Sequence, residues 1–217
     1  MVDGLTITLK DGTVARVNLE AVPLDGVFQI RYASNLTAGD GAVNIINPGT
    51  NGAPIAGPGF GSNVGNICVN AYAFSPDEQL ISCCSCLVTP NGIASMSVRN
   101  DLISNTLTGV RPDAVVIKLV NTAAGPGFTG SACSNSAALA GTAGFPLAAG
   151  LNAFGTTVHA GAVVGSFATT ETPFLQATLS PGELASITGR CTNIIGNGSS
   201  FGICSSCRLG GLMANGR

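Results

Sequence analysis

The chain has no tryptophan, one histidine (His159), and charged side chains at only 9% of its 217 positions. A typical soluble domain carries about 25% charge. Charge is missing altogether from Gly41 to Pro76 and again from Leu119 to Thr170. A solitary soluble protein normally keeps more charge on its surface to stay apart from its neighbours. The surface is therefore expected to be covered by sister subunits or by sugar, or else coated in Ser, Thr and Asn as in a secreted domain. The net charge of −2 comes without a Lys/Arg patch interleaved with aromatics, so nothing here neutralises phosphates and nucleic acid is not an expected partner. No apolar run reaches the roughly 18–20 residues that span a bilayer, so no membrane span is expected.

Acid–base chemistry is equally poorly supplied. His159 stands alone between Val158 and Ala160. Gly198-Ser199-Ser200-Phe201-Gly202 matches the Gly-x-Ser-x-Gly elbow in form, but the elbow needs a strand before it and a helix after it. Here the motif trails a helical pattern in a Gly-rich stretch. The carboxylates Asp77 and Glu78 fall in a turn and read as solvated. No enzyme activity, catalytic residue, metal or cofactor is expected.

What the chain does have is cysteine: Cys68, Cys83, Cys84, Cys86, Cys133, Cys191, Cys204 and Cys207. Cys83-x-x-Cys86 and Cys204-x-x-Cys207 have the ligand spacing of a four-cysteine zinc site. Their separation is far longer than in a zinc ribbon, and four cysteines would be left over. A redox Cys-x-x-Cys belongs near a βαβ pattern, which is absent, and Leu87 and Arg208 occupy the places where a c-type haem needs histidine. Disulfides are the expectation, and they persist in oxidising compartments. The N-terminus, Met1-Val2-Asp3-Gly4, lacks the basic and apolar regions of a signal peptide. That leaves a mature exported chain or a cytosolic one, and the cysteines favour the first.

Eight cysteines allow about a hundred connectivities. The hairpin described below would bring Cys68 near Cys84 and Cys86. Cys133 with Cys191 makes a plausible second bridge, and Cys204 and Cys207 would tie the tail to the central cluster. Long loops closed this way stabilise by roughly 3–5 kcal/mol each in the chain-entropy model.

The first twenty residues form a distinct unit. Leu5, Ile7 and Leu9 alternate with Thr6, Thr8 and Lys10, the period of a half-buried strand. Lys10-Asp11-Gly12 signals a turn, and Thr13 to Leu19 can form a second strand. Pro23-Leu24-Asp25-Gly26 reads as a hinge, so the expected division is an extension at 1–20, a hinge at 21–26 and a body at 27–217.

Strands of the body are expected at Val27–Tyr32, Ile67–Phe74, Leu80–Leu87, Ile93–Arg99 and Ala114–Val120, with a turn at Ser75–Glu78 and a loop from Asn47 to Gly65. The run Val115-Val116-Ile117-Lys118-Leu119-Val120 suits a strand buried on both faces, although Lys118 needs an exit. Asn121 to Gly165, rich in Gly, Ala, Ser and Thr, reads as a long ordered loop or as short strands, with Cys133 and Phe145 as anchors. A helix follows at about 181–195. Ser180 is its N-cap, Pro181 its first residue and Glu183 the second half of a capping box. Its apolar face is Leu184, Ile187, Cys191 and Ile194. Gly196 should end it, or Gly189 a turn or two earlier. The fold class is all-β: a β-sandwich or jelly-roll-like domain with one short C-terminal helix, stabilised by disulfides.

Two sequons, Asn35-Leu36-Thr37 and Asn197-Gly198-Ser199, make Asn35 and Asn197 candidates for covalent glycans. Asn66 to Phe74, continued through Ser75-Pro76-Asp77-Glu78-Gln79-Leu80-Ile81-Ser82-Cys83-Cys84-Ser85-Cys86, resembles part of a family of secreted, uncharacterised bacterial proteins. The resemblance continues at Ser97–Leu107 and returns at Phe201-Gly202-Ile203-Cys204-Ser205-Ser206-Cys207. It implies export and disulfides. In architecture alone, the chain is similar to donor-strand filament subunits.

The functional expectation is a structural subunit of an extracellular or cell-surface bacterial fibre, a helical homopolymer. Leu5, Ile7 and Leu9 would fill an apolar groove on the next identical subunit by strand addition. Three such side chains contribute roughly 5–9 kcal/mol before ordering costs. Residues 1–20 could equally fold back as an edge hairpin of their own domain. The alternative function is a monomeric secreted binding or adhesive module of carbohydrate-binding type, although tyrosine occurs only as Tyr32 and Tyr72.

Overall fold

The computed structural model describes residues 5–8, 14–17, 26–56, 62–126, 130–161, 163, 166–205 and 207–209, with only the backbone at 5–8, 14–17 and 208–209. Strands β1 (Leu5–Thr8) and β2 (Val14–Val17) pair antiparallel, Leu5 opposite Val17, as a two-stranded sheet of their own. The body is a disulfide-stabilised sandwich of two antiparallel five-stranded sheets. It is built from β3 (Phe28–Ala33), β4 (Ala42–Ile46), β5 (Ile67–Phe74), β6 (Leu80–Val88), β7 (Ile93–Ser97), β8 (Val115–Ala123), β9 (Asn152–Ala160), β10 (Phe167–Pro173), β11 (Leu175–Gln176) and β12 (Arg208–Leu209). One sheet runs β10-β9-β4-β7-β12, the other β11-β3-β8-β5-β6. Two helices, α1 (Ser136–Leu139) and α2 (Pro181–Gly196), complete the body.

The second sheet is covered on both sides, and the period of a strand sorts its residues. Ile67, Val69, Ala71 and Ala73 of β5, with Val115, Ile117 and Leu119 of β8, pack against Val43, Ile45, Met96 and Ala153 of the other sheet. The alternate residues Tyr72, Phe74 and Val120 pack instead against Ile187, Cys191 and Ile194 of α2. This is why β8 reads as apolar on both faces. Lys118 points to the helix side, where its Nζ meets Glu183 Oε1 at 2.6 Å and lies 4.6 Å from the Phe74 ring centroid.

Helix α2 starts as its sequence dictates, with Glu183 N–H donating to Ser180 Oγ at 3.1 Å. The carboxylate that would complete the capping box is the one that holds Lys118. Gly189 does not stop the helix, which runs on to Gly196 with Asn197 as C-cap.

Several boundaries differ from expectation. The strand expected at Ile93–Arg99 stops at Ser97, and Val98–Leu102 forms a π-turn. Asp40 decides this. Its carboxylate accepts from Arg99 N–H and Asn100 Nδ2 at 2.9 Å each and from Ser97 Oγ, while Ser97 Oγ accepts Asn100 N–H at 2.7 Å. Strand β4 was not expected at all. The 121–165 segment is neither one long loop nor a set of short strands. It holds a 3₁₀ turn (Gly130–Cys133), α1 and the nine-residue β9.

Candidate assembly edges

A β-sandwich has four edge strands, each a row of backbone N–H and C=O groups able to pair with another chain. Here β11 and β12 are two residues long. The two long edges, β6 and β10, are treated in opposite ways.

The outer side of β6 is closed. Cys83 N–H donates to Gly202 O at 2.9 Å and Ile81 O accepts Leu107 N–H at 2.8 Å, with a parallel bridge between Cys83 and Ile203. Two disulfides hold the tail there, Cys84–Cys204 and Cys86–Cys207, with Cα–Cα separations of 5.6 and 5.5 Å. Strand alternation explains the Cys-Cys-Ser-Cys run. Cys84 and Cys86 share one face of β6 and take the tail, while Cys83 faces the other way and binds Cys191 on α2 (Cα–Cα 6.0 Å).

The fourth bridge joins Cys68 to Cys133 (Cα–Cα 5.5 Å). Tying Cys204 and Cys207 to the central cluster matches the sequence reading, but two pairings in that reading do not form. Cys68 lies opposite Leu87 in the β5–β6 register, on the face away from Cys84 and Cys86. Cys133 does not meet Cys191, because the 3₁₀ turn carries it over β5 instead. All eight cysteines are bridged, so the four in Cys-x-x-Cys spacing are not thiolates free to bind zinc. Four disulfides are compatible with an oxidising, extracellular environment. No described helix is long and apolar enough to cross a membrane.

The outer side of β10 is open. Its inner neighbour is β9, with Thr170 opposite Thr157, and among the described residues no strand lies beyond it. All seven of its residues are exposed. Phe174 N–H donates to Ala153 O and Gly161 N–H to Ser166 O, each at 2.8 Å. These bonds bracket the ladder and fix its alternation: even-numbered residues of β10 bond to β9. Phe167, Thr169 and Glu171 therefore turn both N–H and C=O outward, and Pro173 its carbonyl alone. Phe167 is 60% and the nearby Val163 71% exposed.

Arg31 ties this ribbon to the second sheet. Its guanidinium donates to Thr172 O at 3.0 Å, to Thr172 Oγ1, and to Thr157 Oγ1 at 2.9 Å. Burial holds its pKa below the usual guanidinium value, partly offset by Glu171. It crosses Gly155, where a Cβ would lie 2.3 Å from Arg31 Nε, so a side chain there would displace the arginine. Between the ribbon and β3 lies an open cavity of about 440 Å³, lined by Tyr32, Ser34, Thr157, His159 and Thr170 among others.

The remaining residues singled out in the sequence are scattered. Leu5 and Ile7 lie in β1, whereas Leu9 and hinge residues 21–25 fall outside the described residues. His159 Nε2 lies 2.9 Å from Thr170 Oγ1. Ser200 follows α2 in a turn, with φ of 63° and its carbonyl accepting Asn105 Nδ2 at 2.6 Å. Asp77 accepts from Ser75 Oγ within the β5–β6 turn, where Glu78 has φ of 66°.

The two sequons differ. Asn197 is exposed, its Oδ1 accepting from Ser199 N–H and Oγ at 2.8 and 2.6 Å. Asn35 is half-buried and donates to Val158 O at 3.2 Å, and Thr37 is held by Asp113, accepted at 2.7 Å through its N–H and 2.6 Å through its hydroxyl. Those bonds keep the Asp113 carboxyl below its ordinary pKa, the hydroxyl contributing most.

Sequence reasoning missed β10 as an edge because it has no buried face to imprint alternation. The run Thr169-Thr170-Glu171-Thr172, rich in β-branched residues, was the available signal. Comparison with family models, with curated proteins and with solved structures found no match.

Proposed function

We propose that the protein is a structural subunit of an extracellular bacterial fibre, joined to identical subunits by strand addition from the N-terminal hairpin. The observation that carries this reading is the placement of β1 and β2, which pair with each other and enter neither five-stranded sheet. Two further features support it. Charge covers only 9% of the chain, so little electrostatic repulsion opposes packing of copies. Four disulfides hold the body rigid while it bears load. Subunits joined head to tail in this way form an open filament rather than a closed ring when the rotation does not close.

The test is electron microscopy of the non-reduced protein over a range of concentrations, beside a full-length variant carrying Leu5→Asp and Ile7→Asp. Regular fibres in the parent and none in the variant are expected. Discrete monomers in the parent would overturn the reading. They would favour a carbohydrate-binding module, whose site would be the hydroxyl-lined cavity beside Tyr32, a ring 63% exposed.

A further inference from the structure

We infer that the outer edge of β10 is the acceptor for strand β1 of a second copy of this chain, an inference that rests on the fibre reading above. Three observations converge on this edge. It is the one long body edge left uncapped among the described residues, since β6 is closed by the tail and β11 and β12 are two residues long. Phe167, Thr169 and Glu171 present the alternating N–H and C=O groups that an incoming strand needs. The edge also lacks the usual protection: it has no lysine, no bulge and one terminal proline, and its apolar end at Val163 and Phe167 is exposed.

The donor fits the same edge chemically. Leu5–Thr8 carries no charge and alternates apolar with β-branched polar residues. The single charge of β10, Glu171, already accepts Asn44 Nδ2 at 2.9 Å, so no like-charged pair is forced together. Leu5 and Ile7 fall on one face of their strand, as Phe167 and Thr169 do on theirs. With β2 still paired to its far side, β1 extends the sheet from five strands to seven and leaves the β9–β10 ladder intact.

The decisive substitution is Thr169→Pro, which deletes an outward N–H without touching a bond to β9. Thr169→Ala keeps the backbone donor and serves as its control. Thr169→Pro should abolish fibres at concentrations where the parent and Thr169→Ala assemble, with its melting transition close to the parent's. It still carries an intact donor hairpin, and the Leu5→Asp/Ile7→Asp variant still carries an intact acceptor. Mixing the two should therefore give a one-to-one heterodimer in analytical ultracentrifugation, and neither alone should dimerise.

Fibres that persist in folded Thr169→Pro would overturn this acceptor while leaving strand-mediated assembly standing. No fibres in the parent would remove the fibre reading itself. Assemblies that survive in the hairpin variant but vanish with Thr169→Pro would put β10 of a second copy on the edge, and so overturn the inference. If Thr169→Pro unfolds, the mixing result is read instead with Thr169 N-methylated by semisynthesis.

Discussion

Strands β6 and β10 pose the same physical problem at opposite ends of the sandwich, and the chain answers it twice. β6 is nine residues of mostly buried, apolar strand. Left open, it would be a sticky template, and the tail, two disulfides and the Leu107 turn close it. β10 is seven residues, exposed throughout and rich in threonine, and among the described residues no strand pairs with its outer side. The difference lies in what each edge would bury. An apolar edge invites indiscriminate pairing, so it is shut covalently, whereas a polar edge can stay open to water.

Removing the tail's hold should produce the largest effect. A variant with Cys84, Cys86, Cys204 and Cys207 all replaced by alanine should lose roughly 2–5 kcal/mol of stability per bridge. It should also aggregate through the uncovered β6. Replacing Cys68 and Cys133 instead should cost a similar amount for one bridge and leave the protein no more aggregated than the parent. Light scattering beside chemical denaturation separates the two. Equal aggregation from both would mean the tail is a staple and not a cap.

The two edges should differ by several orders of magnitude in amide exchange in the unassembled protein. Cys83 N–H, bonded to Gly202 O, should exchange only with global opening. Thr169 N–H should exchange almost at once, and Thr170 N–H, directed at β9, should be slower. Fast exchange at Cys83 would erase the contrast.

The smallest effect concerns the footing of the ribbon. Asp113 holds the Asn35–Thr37 loop, from which Asn35 reaches Val158 O on β9. Because the folded protein lowers the Asp113 pKa, its contribution is fully present above the unfolded value of about 3.9. It is lost as pH falls through the lower, folded value. Asp113→Asn should therefore lower stability slightly at neutral pH and flatten the acid limb of the stability curve, the difference from the parent fading at low pH. An unchanged acid limb would mean the carboxylate does not anchor this loop.

Much of the body was legible from residue patterns. Phe28, Ile67, Leu80 and Val115 begin strands whose hydrophobic runs mark them, and Ser180-Pro181 marks the start of α2. What stayed hidden was β4, β9 and β10, where Gly, Ala, Asn and Thr leave little contrast between inward and outward positions. The open edge at β10 was harder still to read. An open edge is defined by the absence of a neighbour, which no local pattern records.

The sequence alone determined the sandwich class, the helix and its cap, and the commitment of a weakly charged chain to disulfides, because each follows from local spacing and composition. The tertiary structure alone decided which cysteines meet. Alternation in β6 sends Cys83 to the helix and Cys84 and Cys86 to the tail, and β5 turns Cys68 away from both. It also decided which edge is closed and which is open, because that depends on strands and tails that are distant in the chain and adjacent only in the folded sheet.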